Sequence, residues 1–289
     1  MLTNNILRKV YVITGTNKGI GFGIIEKLCE KLSKDLNNKS IIYATSRQKK
    51  LGQESIQKIV DKYPSVKNQL LYHQLDISNN ESISTFINYI KNSNIKVDIL
   101  INNAAINGEN KSSDTAREVL KTNYHGTVNL TENLIPYINQ YGHIINVSSL
   151  LGTFMEISGK LKKRFDKDDI TTEELDTLEK EYYKAYDSNK EFELGWVNNQ
   201  EWARINHYSI SKIFLNCYSR ELAWRLLEKR IRVNAFTPGW CKTDMGGPNA
   251  PENISYGVQN TLFMCELKDN DDWTKSYCKF YKDSNVSNW

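Results

Sequence analysis

The stretch that most constrains this chain is Lys9 to Gly23, KVYVITGTNKGIGFG. A short apolar run, Val10-Tyr11-Val12-Ile13, meets Gly15, Gly19 and Gly21, and a helical apolar pattern follows at Ile24, Ile25, Leu28, Cys29 and Leu32. A strand that breaks on glycines and passes directly into a helix collects free backbone N–H groups and a positive dipole end at one point, where a phosphate would sit. The spacing is Gly-xxx-Gly-x-Gly, and the three glycines divide the work. One permits the tight turn, one lets backbone approach a pyrophosphate, and one lets helix and strand pack closely. The stretch therefore predicts a dinucleotide site. On spacing alone, a glycine turn between two core elements competes with it; the position at the first strand-to-helix turn favours the site.

The second strand is Ser40 to Thr45 (SIIYAT), ending at Ser46-Arg47 with Lys49 and Lys50 beyond. In a doubly wound fold an acidic residue at this end would hold a ribose 2′-hydroxyl, whereas an arginine accommodates a 2′-phosphate. The chain has Arg47 there and no carboxylate, and Lys18 supplies a second cation, so NADP(H) is expected over NAD(H). The competing reading of Arg47, Lys49 and Lys50 is a charge run that solvates a helix start.

Further along, 51–63 reads as helix, Leu70 to Gln74 as a strand ending at Asp76-Ile77, and Ser82 to Ile90 as helix. Val97 to Ile101 is a strand running into Asn102-Asn103-Ala104-Ala105. Residues 114–139 hold one long helix or two, with Asn123 in the middle, and His143 to Val147 is a fifth strand stopping at Ser148-Ser149. On residue type alone that serine pair is a polar turn. From His207 a helix continues to Lys229, Ile231 to Phe236 is a sixth strand followed by Pro238-Gly239-Trp240, and a seventh is expected at Tyr277 to Tyr281. Strands alternating with helices of this length predict an α/β, doubly wound (Rossmann) parallel sheet of about seven strands with helices on both faces.

Residues 155–200 interrupt the alternation. Thr171 and Glu174 form a capping-box pattern, and Leu175, Leu178, Tyr182 and Tyr186 share one helical face; Trp196 and Trp202 follow. We read this as a helical insertion, a lid or a patch laid over the sheet's helices, within a single domain spanning 1–289.

Composition sets the outer bounds. Hydrophobic residues make up 39% and charged residues 25%, the balance of a soluble globular protein, and a net charge of +4 spread along the chain gives no reason to expect a nucleic-acid partner. Five widely spaced cysteines without a CxxC pair argue against a disulfide framework or a zinc site, and no metal is expected. Neither a signal peptide nor a run of about 18 apolar residues appears, so no membrane partner and a cytoplasmic location are expected.

Tyr208 and Lys212, four apart on the expected helix, share a face. Three Tyr-xxx-Lys pairs occur in the chain, but Pro64 takes Tyr63 out of a helix and Tyr186 lies in the insertion; only Tyr208 opens the helix between the fifth and sixth strands. A free tyrosine has a pKa of roughly 10. A neighbouring ammonium favours the phenolate, so Lys212 is expected to lower that value and to hold a cofactor ribose. Tyr208 then reads as a general acid, and Ser149 could hydrogen-bond a carbonyl oxygen as charge grows on it.

These residues, in this order, resemble the short-chain dehydrogenase/reductase family, most nearly its monomeric NADPH-dependent carbonyl reductases. Thr14 to Gly21 is similar to the family's glycine motif, Asn102 to Ala105 to its Asn-Asn-Ala-Gly motif, and Ser149, Tyr208 and Lys212 to its catalytic set. Asn123 resembles the asparagine that places a proton-relay water. The resemblance implies cofactor contacts from Gly15, Asn17, Lys18, Gly19, Ile20, Gly21, Arg47, Asp76, Ile77, Asn103, Ala104, Tyr208, Lys212, Pro238, Gly239, Cys241 and Thr243. It implies a substrate pocket at Ser149, Tyr208 and Trp240, a small-molecule ketone or aldehyde as substrate, and a monomer, because the insertion would cover a face that shorter relatives use to form tetramers. Ala105 stands where the family usually has glycine, and Asn206-His207 where small residues are usual. Two other readings fit the same residues: a dehydrogenase oxidising a specific alcohol, and a non-catalytic dinucleotide-binding sensor or scaffold.

Overall fold

A computed structural model of the chain describes residues 8–35, 37–108, 112–154, 157–167, 169–197, 206–267 and 273–289. Trp202, the ends of the insertion and the side chain of Asn206 lie outside them.

The chain runs β1 (Val10–Ile13), α1 (Gly19–Lys34), β2 (Ile41–Ser46), α2 (Lys49–Lys62), β3 (Leu70–Gln74), α3 (Asn80–Asn92) and β4 (Val97–Asn102). It continues through α4 (Ser113–Leu120), α5 (Thr127–Leu134), β5 (Ile138–Val147), α6 (Gly159–Phe165), α7 (Thr172–Asp187) and α8 (Asn206–Leu226). β6 (Arg232–Phe236), α9 (Ile254–Cys265), β7 (Phe280–Lys282) and β8 (Asn285–Ser287) complete it. The strands form one sheet in the order β3-β2-β1-β4-β5-β6-β7-β8. All neighbours are parallel except β7 and β8. The order reverses between β1 and β4, and at such a switch point the crevice beyond the carboxyl ends of the strands receives ligands.

Because both faces are covered, the strands read as unbroken apolar runs rather than alternating ones. Alternation survives in where the side chains go. Val12, Leu100, Ile144 and Val233 pack with α3, α4, α5 and α8, while Ile13, Ile101, Ile145 and Phe236 pack with α1, α2 and α9. The insertion belongs to the first of these cores: Phe165, Leu178, Tyr182 and Trp196 are buried in it, with the Phe165 ring edge-on to Phe214 of α8. Thr171 Oγ1 accepts from the Glu174 backbone N–H, so half of the expected capping box forms; the Glu174 carboxylate pairs with Lys167 instead of turning back.

Three expectations need correction, the first at α8, which ends at Leu226 and not at Lys229 because 227–230 turn into β6. Residues 114–139 are α4 and α5 joined by a π-helical turn, Lys121–Gly126, followed by a 3-10 turn, Ile135–Tyr137, and β5 already starts at Ile138. The seventh strand lies at Phe280–Lys282, not Tyr277–Tyr281, and an eighth, antiparallel strand extends the sheet. No disulfide joins the described cysteines, and Cys29, Cys217, Cys241 and Cys265 are buried. Among the described residues no helix is long and apolar enough to cross a membrane, and no cluster of three or more His, Cys, Asp or Glu could hold a metal.

Candidate active site

At the carboxyl end of β1 the glycine loop is stitched to the end of β4. Thr14 Oγ1 accepts from the backbone N–H groups of Asn103 and Ala104 at 2.9 and 2.9 Å, and Asn103 Nδ2 donates to the carbonyl oxygens of Thr14 at 2.8 Å and Gly15 at 3.2 Å. Gly15 has a φ of +71°, and a Cβ there would stand 2.9 Å from the Ala104 Cα; a Cβ on Gly21 would collide with the Gly15 carbonyl oxygen. Lys18 at the N-cap of α1 makes no side-chain capping bond, and the first turn carries no acidic residue. Contrast α3, α4, α6 and α7, each capped by its own Asn79, Ser112, Ser158 or Thr171. A helix start left without an internal acceptor has orphan donors to offer, so the cradle fits the diphosphate of a dinucleotide.

The neighbouring corner is electropositive. Arg47 is exposed at the end of β2, its carbonyl accepting from Gln74 Nε2 at 3.0 Å, and α2 starts just beyond with no side-chain cap and no acidic residue in its first turn. Lys18 does not add a bare second cation: its ammonium pairs with Asp244 at 2.7 Å across the mouth of the loop. Asp76 turns inward on Ser78, accepting from its N–H at 2.9 Å and its hydroxyl at 2.7 Å. The Ile77 carbonyl presses against Gly126 at the end of the π-helical turn, where a Cβ would not fit.

Ser149, Tyr208, Lys212 and Asn123, drawn from α8 and two separate turns, meet at this same edge of the sheet. Ser149 caps the short 3-10 turn Leu150–Gly152, accepting from the Leu151 N–H at 3.1 Å, and its hydroxyl faces Tyr208 closely enough to favour the phenolate. Lys212 is buried, donates to the Val147 carbonyl oxygen at 2.8 Å, and holds its Nζ 5.4 Å from the Tyr208 ring centroid. Asn123, also buried, accepts from the Ile106 N–H at 2.8 Å, returns a bond to the Ile106 carbonyl oxygen at 2.9 Å, and donates to Ser211 Oγ at 3.0 Å. Ser211 in turn donates to the Tyr208 carbonyl oxygen at 2.7 Å.

One electrostatic expectation is overturned. Desolvation pushes the Tyr208 phenol up to about 12, and the influence opposing it is the nearby Ser149 hydroxyl rather than the Lys212 ammonium. Lys212 is itself desolvated, which lowers its pKa to about 7. An amine in that state is only partly charged at neutral pH and has little field to lend.

Residues 9–160 match the family model described as short chain dehydrogenase, more than half of the chain. The chain belongs to the short-chain dehydrogenase/reductase family. Residues 196–283 match a second model, described as enoyl-(acyl carrier protein) reductase. Mouse carbonyl reductase [NADPH] 1 is 32% identical over 292 residues, covering 98% of this chain and 99% of that protein. Human carbonyl reductase [NADPH] 3 is 31% identical over 293 residues, covering 97% and 98%. Among solved structures, salutaridine reductase from Papaver somniferum superposes with a TM-score of 0.81 at 27% identity, over 95% of this chain and all (100%) of that one. The NADPH-bound carbonyl reductase from chicken fatty liver superposes at 0.68 with 22% identity, over 98% and 95%, which speaks to the fold alone.

In this family member the loop after β6 lies over the glycine cradle. Gly239, at φ +84°, turns the chain against the Tyr256 ring, and the Thr243 methyl approaches Gly19. Ile20, Cys241 and the Pro238 carbonyl converge on Gly257 of α9. Trp240 is 58% exposed, with its indole N–H on the Gly246 carbonyl oxygen at 2.8 Å. A cleft of about 710 Å³ lies elsewhere, between α5, α8 and the start of α7, and none of its lining residues belongs to the site.

Residue-by-residue reading missed several supports. Gly152 lets the serine turn rest on Lys212, whose Cβ would stand 2.8 Å from a Cβ there. Asn216 Oδ1 accepts from the Ser148 hydroxyl at 2.6 Å and its Nδ2 donates to the Gly152 carbonyl oxygen at 2.9 Å. Ser211 couples Asn123 to the first turn of α8. All three lie within a turn or two of an expected site residue, and the only sequence signal was small or amide-bearing residue type on a face otherwise apolar.

Proposed function

We propose that the chain reduces a ketone or aldehyde to an alcohol, with Tyr208 as the general acid. It is an NADP(H)-dependent oxidoreductase; the glycine cradle would hold the cofactor's diphosphate, Arg47 and the uncapped start of α2 would hold its 2′-phosphate, and the cofactor would supply the hydride. The observation that carries the reading is the convergence of Ser149 and Tyr208, the serine hydroxyl near enough to favour the phenolate, beside a buried Lys212 whose Nζ lies 5.4 Å from the Tyr208 ring centroid.

A carbonyl oxygen placed between the two hydroxyls receives a hydrogen bond from Ser149 as negative charge develops, and the proton from Tyr208 as the C–O bond becomes single. The phenol is protonated at neutral pH, the form that carbonyl reduction consumes. Ser211 holds the turn that carries Tyr208, and the buried Lys212 amine, 5.4 Å from the Tyr208 ring centroid, is placed to return a proton toward the phenolate. Asn123 closes the far side through Ser211, its two amide N–H groups already committed. Trp240, exposed on the loop over the cradle, supplies apolar surface for the substrate's side groups. The enzyme is expected to work as a cytoplasmic monomer.

The test follows NADPH absorbance with a panel of small carbonyl compounds. Tyr208→Phe is expected to keep NADPH affinity and lose turnover by at least about 10²-fold. A Tyr208→Phe protein as active as wild type would end the assignment.

A further inference from the structure

The sequence left two matters unabsorbed: the amphipathic face of the insertion, and a histidine immediately before Tyr208 where a small residue is usual. They meet in the structure. Glu179, Tyr182, Tyr183 and Tyr186 lie on one face of α7, as i, i+3, i+4 and i+7 residues of a helix must. Tyr182, fully buried, has its hydroxyl 2.7 Å from His207 Nδ1, and the Tyr186 ring stands edge-on to the His207 imidazole at 4.6 Å. One turn earlier Glu179 reaches His125 on the π-helical turn, with Nε2 2.8 and 2.9 Å from its two carboxylate oxygens, and accepts a third bond from the Tyr183 hydroxyl at 2.7 Å.

Each histidine sits beside a proposed proton-handling residue. His207 adjoins Tyr208 in sequence. His125 is two residues beyond Asn123, on the turn that sends the Asn123 amide to Ser211 and so to the Tyr208 carbonyl oxygen. A single helix face therefore grips the catalytic turn at both ends of that chain of bonds. A helix serving only as a cover could bury Leu175, Leu178 and Ala185 without placing a carboxylate and a buried hydroxyl on two histidines. Buried polar groups stabilise a fold little unless satisfied, but once satisfied they impose one geometry.

We infer that α7 is a brace for catalysis, in which Tyr182 and Glu179 are positioning residues that hold Tyr208 and Asn123 in register through His207 and His125. The inference rests on the carbonyl-reductase reading above. It assigns the insertion a part in turnover and not only in covering a surface.

The experiment compares wild type, Tyr182→Phe, Glu179→Ala, Glu179→Gln and Tyr208→Phe, measuring NADPH affinity by fluorescence titration, kcat per NADPH-binding site, KM and melting temperature. Tyr182→Phe and Glu179→Ala are expected to lower kcat by about ten-fold while NADPH affinity and KM stay within about two-fold, since a misplacement below an ångström at a reacting group is felt mainly in turnover. Glu179→Gln, which can still accept from His125 and Tyr183, is expected to recover most of the loss. Equal kcat per binding site in wild type, Tyr182→Phe and Glu179→Ala would overturn the brace. So would a loss that follows melting temperature across all variants, Gln no better than Ala, because that pattern belongs to packing alone. An active Tyr208→Phe would instead remove the reading on which the brace depends, so the two failures are distinguishable.

Discussion

At Lys212 a single burial decides how the site responds to pH. The amine lies behind Val147 and the Tyr208 ring, and desolvation brings its pKa from 10.5 to about 7. In the unfolded chain the amine binds its proton up to its ordinary range, so between about pH 7 and 10.5 the unfolded state holds more protons than the folded one. Stability contributed at this residue therefore rises with pH across that window and is lowest below it, where both states are charged and burial of the ammonium is carried in full. Tyr208 acts in the opposite sense and later: its folded value of about 12 against 10.0 makes stability fall only above pH 10. Replacing Lys212 by Met, of similar length and without charge, is expected to raise the urea midpoint at pH 7 and to leave little difference near pH 10. A wild-type midpoint that did not climb with pH relative to that of Lys212→Met would show that the buried amine keeps its charge through a partner. Tyr208 and Lys212 were legible in the sequence as a spacing on an expected helix; their protonation was not, because it depends on what the fold stacks above them.

The glycine loop shows the same division at the scale of an element. Strand, glycines and helix could be read directly, and the strand ends that carry Asn103, Ser149 and Pro238 followed from apolar runs of five or six residues. What the loop touches could not be read. A methyl on Gly21 meets both the Gly15 carbonyl and the Asn103 amide, two groups fixed by the bonds that join β1 to β4. Gly21→Ala is therefore expected to cost about 1–3 kcal/mol, as overpacking does in a rigid site, and to abolish the rise in melting temperature that NADPH gives. Gly159→Ala at the start of α6, where a Cβ has nothing within 4 Å, is the control and should leave both unchanged or slightly improved. Equal behaviour of the two variants in a thermal-shift titration would refute the account of the cradle. Elements escaped the sequence where their cause is tertiary. β8 is three residues of mostly polar type held by pairing with β7, and the π-helical turn joins what spacing left open as one helix or two, so that Asn123 and His125 face different partners.

For the whole molecule the question is what the insertion does to the face of α4 and α8. Apolar residues of α6 and α7 continue the core of the sheet's helices, and Phe165, with no exposed surface, is wedged against Phe154, Trp196 and Phe214. Among the described residues of the insertion Phe192 and Leu194 stay exposed, but two side chains fall well short of the roughly 800 Å² that each partner of a stable dimer buries. The cleft beside α5 and α8 remains open, and Trp224 stands 56% exposed in it, but the Glu132, Glu221 and Arg225 ion pairs line the same wall and make it a poor apolar seat. The chain is therefore expected to sediment as one species of 33.4 kDa at micromolar concentration. Phe165→Ala separates filling from screening: loss of the ring is expected to cost about 3–5 kcal/mol, because the cavity opens inside a continuous core, while the protein that remains folded stays monomeric. A wild-type dimer in sedimentation equilibrium would place the association on the Trp224 wall, and Trp224→Glu would then dissolve it.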